Sequence, residues 1–336
     1  MAMAAPRVTV LTTLYNKGPF VEEAVQSILD NTFTDFELLV VDDASTDDGR
    51  GRVRRFADPR IRILTNQVNT GRAAAANRGY DAAFGDYVAV LDADDVAHPE
   101  RLAKQIAFMD AHPEIGICGS YARVFGTRDR VATWPTTDEE ARGVMLFQDP
   151  LLYGSSMIRR SVLDANKLRC RSDWRAPGMD YLFLLMIAQH TRMATLPEPL
   201  TSYRLGEQNF RHGHDHFDVR SAIFREVFRS FGILANEEEV TSHLLLEQCY
   251  RALPDAKQVR ALHAWVKKLV AFNREKKLFP QRMFEARLQA DWQRWFYLLA
   301  GRRPATALVH LRSSGGWPGG RLLYLFKVRL RKLVGG

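Results

Sequence analysis

Sulfur chemistry and membrane-spanning segments are scarce in this chain of 336 residues. Its three cysteines, Cys118, Cys170 and Cys249, are far apart and lack metal-site spacing, so we expect a reducing compartment and no disulfide framework. No apolar run reaches the roughly 18 to 20 residues that cross a bilayer. The start MAMAAPRV has no secretory signal pattern. These absences predict a cytoplasmic protein, either soluble or peripheral at the inner face of the membrane.

Positive charge is in excess, with a net value of +8, but it is unevenly distributed. The segment from Arg302 to Lys332 carries many basic residues and no acid, whereas acids cluster in residues 81–115. Those acids would repel a phosphate backbone, so we expect no nucleic-acid partner. A non-catalytic protein that binds nucleotides or nucleic acid stays open as one alternative, because its basic character would suit such ligands.

Strand and helix patterns alternate over the first 110 residues or so. RVTVLTT, FELLVVDDAS, IRILT and YVAVLDADD have the pattern of short buried strands, and helical spacing lies between them. This alternation predicts an α/β fold with a Rossmann-like, mostly parallel sheet and helices on both faces. In the alanine-rich helix of NTGRAAAANRGYDAAFG, Thr70 is a candidate cap and Gly85 a candidate stop.

Polar residues stand at the ends of several predicted strands, where ligands bind in such sheets. Asp42 and Asp43 follow the second strand, and Asp92 and Asp94 follow the fourth. An acid pair at a strand end is often only a helix cap or a solvated turn. However, the spacing of Asp92 and Asp94 puts two carboxylates on one side, which suits a divalent cation completed by waters and ligand phosphates.

The run TVLTTLYNKGPFVEEAVQSILDNTFTDFELLVVDDASTD, followed by a strand that ends in Asp-x-Asp, resembles the inverting family 2 glycosyltransferases. The order and spacing recur over residues 7 to about 210. The resemblance implies a GT-A type fold and a nucleotide-sugar donor, most often UDP-linked. A GT-A catalytic domain is then expected at 1–214, with a nucleotide-sugar half at about 1–120 and an acceptor half at about 121–214.

The resemblance also assigns roles to individual residues. Thr13, Tyr15 and Asp43 match positions that hold the base and ribose, and Arg72 matches a basic residue near the nucleotide. The metal motif, which would bind Mn²⁺ or Mg²⁺, falls on the following pair of acids. The resemblance implies that Asp94 ligates the metal directly, and that Asp92 lies nearer the ribose or sugar and is a second metal residue.

The catalytic base is expected further along the chain. DWRAPGMDYLFLLMIAQHTRMATLPEPLTSYRL resembles the family's acidic pair that opens a helix, followed by a characteristic Tyr-Arg. Asp180 takes the position of the base, although Met179 stands where the family usually has Glu. The alternative is that Asp180 only caps the helix.

Two further sites are expected downstream. His212, or His214, could complete the metal shell from a mobile loop, although alternating histidines are often merely solvent-exposed. Apolar stripes predict a helical extension at 215–336. Its basic, leucine-rich segment 317–334 suits an anionic membrane surface, or equally a helix docked on its own domain.

These features together predict a metal-dependent, inverting hexosyltransferase. It would move one hexose or N-acetylhexosamine to a glycan or lipid-linked acceptor in bacterial surface polysaccharide or lipopolysaccharide synthesis. Transfer is expected to be non-processive because the QxxRW motif of processive family members does not follow the base. Two other enzyme classes fit less well: a Rossmann dehydrogenase needs a GxGxxG turn, which TTLYNKG lacks, and a sugar nucleotidyltransferase-like enzyme, the second alternative, needs a GxGxR opening.

Overall fold

The computed structural model describes residues 5–206, 215–314 and 324. These residues fall into two compact units that divide between His214 and Asp215. The candidate metal residues His212 and His214 lie outside the described residues, as does segment 317–334 apart from Tyr324. No helix in the described part of the chain is both long and apolar enough to cross a bilayer.

The first unit is organised by a nine-stranded sheet. Its strands are β1 (Val8–Leu14), β2 (Phe36–Asp42), β3 (Ile61–Thr65), β4 (Tyr87–Val90), β5 (Val96–Ala97), β6 (Ile115–Gly126), β7 (Arg130–Ala132), β8 (Met157–Arg159) and β9 (Arg192–Leu205). The strand order is β3-β2-β1-β4-β8-β6-β9-β5, with β7 paired to β6. The four predicted strands, β1 to β4, run parallel, whereas β8 is antiparallel to both of its neighbours. The predicted α/β fold is confirmed.

The described residues of this unit form seven α-helices and one short 3-10 helix at Tyr153–Ser155. The α-helices are α1 (Gly18–Leu29), α2 (Gly49–Arg54), α3 (Arg72–Ala82), α4 (Arg101–Ala111), α5 (Asp138–Val144), α6 (Arg160–Ala165) and α7 (Met179–Ala188).

Helices α1 and α3 cover opposite faces of the sheet. Val10 of β1 shares a buried apolar cluster with Val21 and Val25 of α1. The next residue, Leu11, points to the other face because side chains alternate along a strand, and it lies directly under Gly79 of α3. The hydrophobic alternation of β1 therefore places one helix on each face.

The strand ends that carry the predicted site lie at one edge of the sheet. In the register of β1 and β2, Thr13 faces Val41 and Leu14 faces Asp42. The end of β4 is fixed beside β1, because the Leu91 amide donates to the Leu11 carbonyl at 3.1 Å. The polar groups that follow β1, β2 and β4 therefore converge, as their positions after parallel strands predict.

The start of α3 is held by Asp43 rather than by a capping side chain. The N-cap is Gly71, at φ 89°, and Thr70 does not cap the helix, contrary to the prediction. Thr70 donates instead to Asp43 Oδ1, through its amide at 2.9 Å and its hydroxyl at 2.7 Å. Asn66 Nδ2 donates to the same oxygen at 2.6 Å, and the Gly71 amide donates to Oδ2 at 2.8 Å. Asp43 thereby fixes the loop that delivers α3.

The end of α3 also differs from the prediction, because the helix stops at Ala82 rather than at Gly85. Gly85 serves a close approach instead. A Cβ at this position would lie 2.4 Å from the backbone nitrogen of Thr9, so any side chain would clash with β1.

The second unit is helical, in agreement with the apolar stripes. Its helices are α8 (His216–Ser230), α9 (Glu237–Leu246), α10 (Ala256–Lys276), α11 (Gln281–Arg302) and α12 (Pro304–Ser313). Their core holds a buried histidine, His243, whose Nδ1 accepts a hydrogen bond from Trp265 Nε1 at 3.2 Å. The ring of Tyr324 contacts that of Tyr297 on α11 at a centroid distance of 5.2 Å.

Substitution of Gly79 tests how closely α3 must approach the sheet. An added Cβ would lie 2.2 Å from Leu11 Cδ1. We expect Gly79→Ala to lower the free energy of unfolding by about 1–3 kcal/mol through overpacking, measured by urea denaturation. Gly51→Ala is the matched control, because it also lies in a helix and meets no atom within 4 Å. It should be neutral or stabilising by up to about 1 kcal/mol; equal stability of the two variants would contradict the account.

Asp43→Asn tests the anchor of the α3 loop. Burial raises the pKa of Asp43, but hydrogen bonds from Asn66, Thr70 and Gly71 outweigh it and lower the pKa below 3.8. The ionised group therefore stabilises the fold above its ordinary pKa, and this contribution is lost as pH falls through the lower folded-state pKa. We expect Asp43→Asn to lower the free energy of unfolding by about 1–3 kcal/mol near pH 7. The asparagine NH₂ group would replace one of the two accepting oxygens and would face a hydrogen-bond donor of the loop.

The pH dependence provides the control for this variant. The stability difference between wild type and Asp43→Asn should shrink in acid, in denaturant titrations run from pH 7 to pH 3. Asp35→Asn, at an exposed position, should change stability by less than about 0.5 kcal/mol. A cost for Asp43→Asn that stays constant with pH would refute the assignment.

Candidate active site

The predicted nucleotide residues lie together at the ends of β1 and β2. Thr13 is half-buried, and Tyr15 is 45% exposed, so its ring offers a face to a ligand. Asp43 is tied to this edge because its amide donates to the Leu14 carbonyl at 2.8 Å. Most of the acceptor capacity of Asp43 Oδ1 is used by the α3 loop, so Oδ2 is the oxygen with capacity left for a ligand donor.

The predicted basic residue and three predicted acids meet in a second group. Arg72, the first residue of α3, has its Nη2 4.0 Å from Asp92 Oδ1. Burial lowers the pKa of Arg72, but the carboxylates of Asp92, Asp180 and Asp94 outweigh it and the net shift is upward. Charges that follow β4 and that lie at the starts of α3 and α7 therefore act on one another, and we call the space between Arg72, Asp92, Asp94 and Asp180 the crevice.

Asp92 is the member of this group whose charge is least favourable. Burial raises the pKa of its carboxyl most, Arg72 opposes that shift, and Asp94 and Asp180 add to it. The net pKa is raised, as expected for acids that share a poorly solvated site. An additional cation in the crevice would favour the ionised form of Asp92.

Lys17 supplies a cation to the second acid of the motif. Its Nζ donates to Asp94 Oδ2 at 2.6 Å, with side-chain exposures of 21% for Lys17 and 9% for Asp94. Lys17 is the N-cap residue of α1 and comes four residues after Thr13. The Lys17 ammonium is thus bound to Asp94, the carboxylate that the sequence predicts to be a metal ligand.

Arg204, the arginine of the Tyr-Arg at the end of β9, binds the acidic loop, which is the segment 91–95 that follows β4. The Arg204 amide donates to Asp95 Oδ1 at 2.8 Å, and its Nε donates to the Asp94 carbonyl at 2.9 Å. Its Nη2 pairs with Glu23 of α1. Arg204 therefore connects the acidic loop to α1, the helix that begins next to Lys17.

Asp95 points into the protein. Burial raises its pKa well above the ordinary value, with a further contribution from Asp92, and its Oδ2 accepts no hydrogen bond from the described residues. Arg101, which is fully buried, stands behind it and donates to the Val90 carbonyl at 2.7 Å. Burial lowers the pKa of Arg101 to about 10, so the guanidinium stays charged at neutral pH. The opposite charges of Asp95 and Arg101 attract each other inside the protein.

Asp180 lies in the first turn of α7 without capping it. The N-cap is Gly178, in the left-handed region at φ 97°, and Met179 is buried. Asp180 Oδ1 accepts from the Tyr181 amide at 2.9 Å, and the side chain is half-buried. Because its charge acts on both Arg72 and Asp92, Asp180 belongs to the crevice.

The loop before α7 reaches the start of α3. Arg175 Nη1 donates to the Thr70 carbonyl, and a Cβ on Gly71 would clash with the same guanidinium. The segment that carries Asp180 is thereby held beside the loop that carries Arg72.

The donor set of the crevice fits a divalent cation only in part. Within residues 5–206 and 215–314, no three His, Cys, Asp or Glu side chains gather closely enough to hold a metal ion. Asp92 and Asp94 provide two carboxylates, and hard cations such as Mg²⁺ are commonly bound by one or two carboxylates plus substrate phosphates. The Lys17 ammonium on Asp94 shows that this carboxylate accommodates a cation. The residues therefore fit a metal that arrives with a diphosphate.

Lys17, Glu23, Arg101 and Arg175 were missed by the sequence analysis. Lys17 carried a usable signal, since a lysine directly after a polar strand end and before a helix can reach the neighbouring strand end. The contacts of Glu23 with Arg204 and of Arg175 with Thr70 join residues 181 and 105 positions apart, and no local pattern encodes such pairs.

Comparison with known proteins agrees with this architecture. Residues 9–165 match the family described as Glycosyl transferase family 2. The succinoglycan biosynthesis protein ExoO of Rhizobium meliloti is 38% identical over 244 residues, which cover 68% of this chain and 70% of ExoO.

Two solved structures share the fold. S. aureus TarS 1-349 in complex with UDP has a TM-score of 0.56 and 17% identity, covering 85% of this chain and 87% of that chain. A mannosyltransferase from Pyrobaculum calidifontis, in complex with GDP-Man and Mn²⁺, has a TM-score of 0.54 and 21% identity, covering 86% of both chains. The sheet is of the predicted GT-A type. The match over residues 9–165, together with 30% identity over 228 residues to the putative glycosyltransferase EpsE of Bacillus subtilis, covering 66% of this chain and 81% of EpsE, shows that the chain belongs to glycosyltransferase family 2.

Proposed function

We propose that this glycosyltransferase is metal-dependent and inverting, and that it transfers a single hexose or N-acetylhexosamine from a nucleotide sugar. The observation that carries the proposal is the convergence of Asp92, Asp94, Arg72 and Asp180 on one crevice at the strand ends. Two acids there suit a cation, and Asp180 is a third acid close enough to act electrostatically on Arg72 and Asp92. The arrangement has the groups needed for one displacement at a sugar carbon bonded to a diphosphate.

The donor is proposed to bind across the ends of β1 and β2. Tyr15 would stack on the base, while Thr13 and Asp43 Oδ2 would bind polar groups of the base and ribose. Asp92 would face the ribose or sugar, and Arg72 the diphosphate. UDP is the proposed nucleotide; its presence in the TarS complex supports that choice, and the GDP-Man complex shows that the fold also takes another base.

The chemistry follows from where charge develops. A Mn²⁺ or Mg²⁺ ion on Asp94 and Asp92 would act as a Lewis acid for the departing diphosphate. Asp180 would take the proton of the acceptor hydroxyl while that oxygen bonds to the anomeric carbon and the bond to the diphosphate breaks. Arg72 would stabilise the added negative charge of the leaving group. Attack on the opposite face inverts the anomeric configuration.

The acceptor is proposed to be a glycan or lipid-linked glycan in bacterial surface polysaccharide synthesis. The name of ExoO supports this class of product. In this proposal residues 1–214 form the catalytic domain, with its acceptor half at about 121–214, and residues 215–336 form the helical extension. Segment 317–334, rich in leucine and basic residues and free of acids, would bind an anionic membrane surface. His212 or His214 would complete the metal shell.

Two variants separate metal binding from proton transfer. Asp94→Ala should weaken Mn²⁺-dependent UDP binding by about tenfold or more, or about 1.4 kcal/mol, measured by calorimetry. Asp180→Asn should leave that binding unchanged and lower the rate of sugar transfer by about 10²–10⁴-fold through loss of the base.

Each variant has a matched control. Asp129→Ala removes an exposed acid that pairs with Arg123 on the β6–β7 hairpin, and Asp173→Asn removes an exposed acid that pairs with Arg171 on the loop before α7. Both should behave as wild type. Normal turnover of Asp180→Asn would place the base elsewhere, and UDP binding indifferent to Mn²⁺ would reject the metal site.

A further inference from the structure

Lys17 combines a backbone held by hydrogen bonds with the flexible four-carbon stem of a lysine side chain. Its carbonyl accepts from the amides of Phe20 at 2.9 Å and Val21 at 3.0 Å, in the first turn of α1. The preceding residue, Asn16, is left-handed at φ 51°, and its Oδ1 accepts from the Thr46 amide at 2.8 Å. The main chain is therefore anchored on both sides, and the four-carbon side chain can change rotamer without moving it.

The Lys17 ammonium and a metal ion would compete for one carboxylate. A largely buried carboxylate needs a countercharge, and Lys17 Nζ provides it at 2.6 Å from Asp94 Oδ2. A divalent cation bound to Asp94 would lie only a few ångströms from that ammonium. Two cations at that separation in a weakly solvated crevice repel each other, so the ammonium must leave Asp94 when a metal binds.

The crevice also determines where the ammonium goes. Arg72 already neutralises Asp92, and Arg204 already pairs with Glu23. A donor that arrives with a divalent cation adds the negative oxygens of its diphosphate beside Asp94. Those oxygens would be new anions beside the position that the ammonium leaves, within reach of a side chain that extends from the start of α1.

We propose that Lys17 is an exchangeable counter-ion, which holds Asp94 in the ligand-free enzyme and moves to the donor diphosphate once a metal takes its place. This proposal rests on the proposed function of Asp94 as metal ligand. It gives Lys17 two opposing effects: the residue weakens binding of metal alone and strengthens binding of nucleotide with metal. A purely structural ion pair would have no such opposition.

Binding measurements on Lys17→Met test the proposal. In calorimetry with Mn²⁺ alone, the variant should bind about threefold or more tighter than wild type, because the competing ammonium is gone. With UDP in saturating Mn²⁺, it should bind about tenfold weaker, because a charge-assisted contact to phosphate is lost. Two changes of opposite sign support the proposal; changes of the same sign, or no change in either titration, overturn it.

Further variants separate the possible failures. Lys17→Arg keeps a cation and should keep both affinities within about threefold of wild type, which serves if Lys17→Met fails to fold. Lys104→Met removes a lysine with an equally short bond of 2.6 Å, to Glu198, and should alter neither titration. If Asp94→Ala binds Mn²⁺ as wild type does, the metal site itself is wrong. If only the Lys17 changes fail, the metal site stands.

Discussion

Mutual repulsion among carboxylates at the strand ends is the constraint on which the rest of this site depends. Asp92, Asp94 and Asp180 lie within electrostatic range of Arg72, and each is at least partly buried. Burial of like charges is costly unless cations offset them. Arg72 and Lys17 meet that need directly, and the chain arranges α3 and the start of α1 so that both side chains arrive.

Three residues outside this group of charges hold the elements that carry the cations and acids in place. Gly79 lets α3 lie close to β1, and Asp43 holds the loop from which α3 starts. Arg204 binds the backbone of the acidic loop and joins it to α1. Gly79 and Arg204 therefore act through the positions of α3 and of the loop that carries Asp94.

Much of the fold could be predicted from the sequence because its cause is local. The alternation in β1 and the helical spacing of Val21, Val25 and Ile28 each reflect burial on one face, and both elements form as predicted. The helix cap at Thr70 was predicted wrongly, because a threonine before a helix gives the same local signal whether it caps the helix or binds a distant acid. Here the Thr70 hydroxyl donates to Asp43, which directly follows β2.

The sequence also predicted part of the site, namely which acids lie together, but not the cations that pair with them. Acids at the ends of parallel strands must converge, so the grouping of Asp92 and Asp94 beside β1 follows from the pattern. The cations that balance them do not follow, because Lys17 reaches Asp94 across 77 positions of sequence. Local sequence patterns predict which strand ends lie side by side. Which side chains pair across those ends depends on their rotamers and on competing partners, and these are determined only in the folded chain.

A crystal of the enzyme with UDP and Mn²⁺ would test the central claim most directly, through the anomalous scattering of manganese. The account predicts one manganese position in direct contact with a carboxylate oxygen of Asp94 and with diphosphate oxygens, and Lys17 withdrawn from that carboxylate. Manganese bound away from Asp92 and Asp94, or UDP bound in the crevice without any metal, would contradict it.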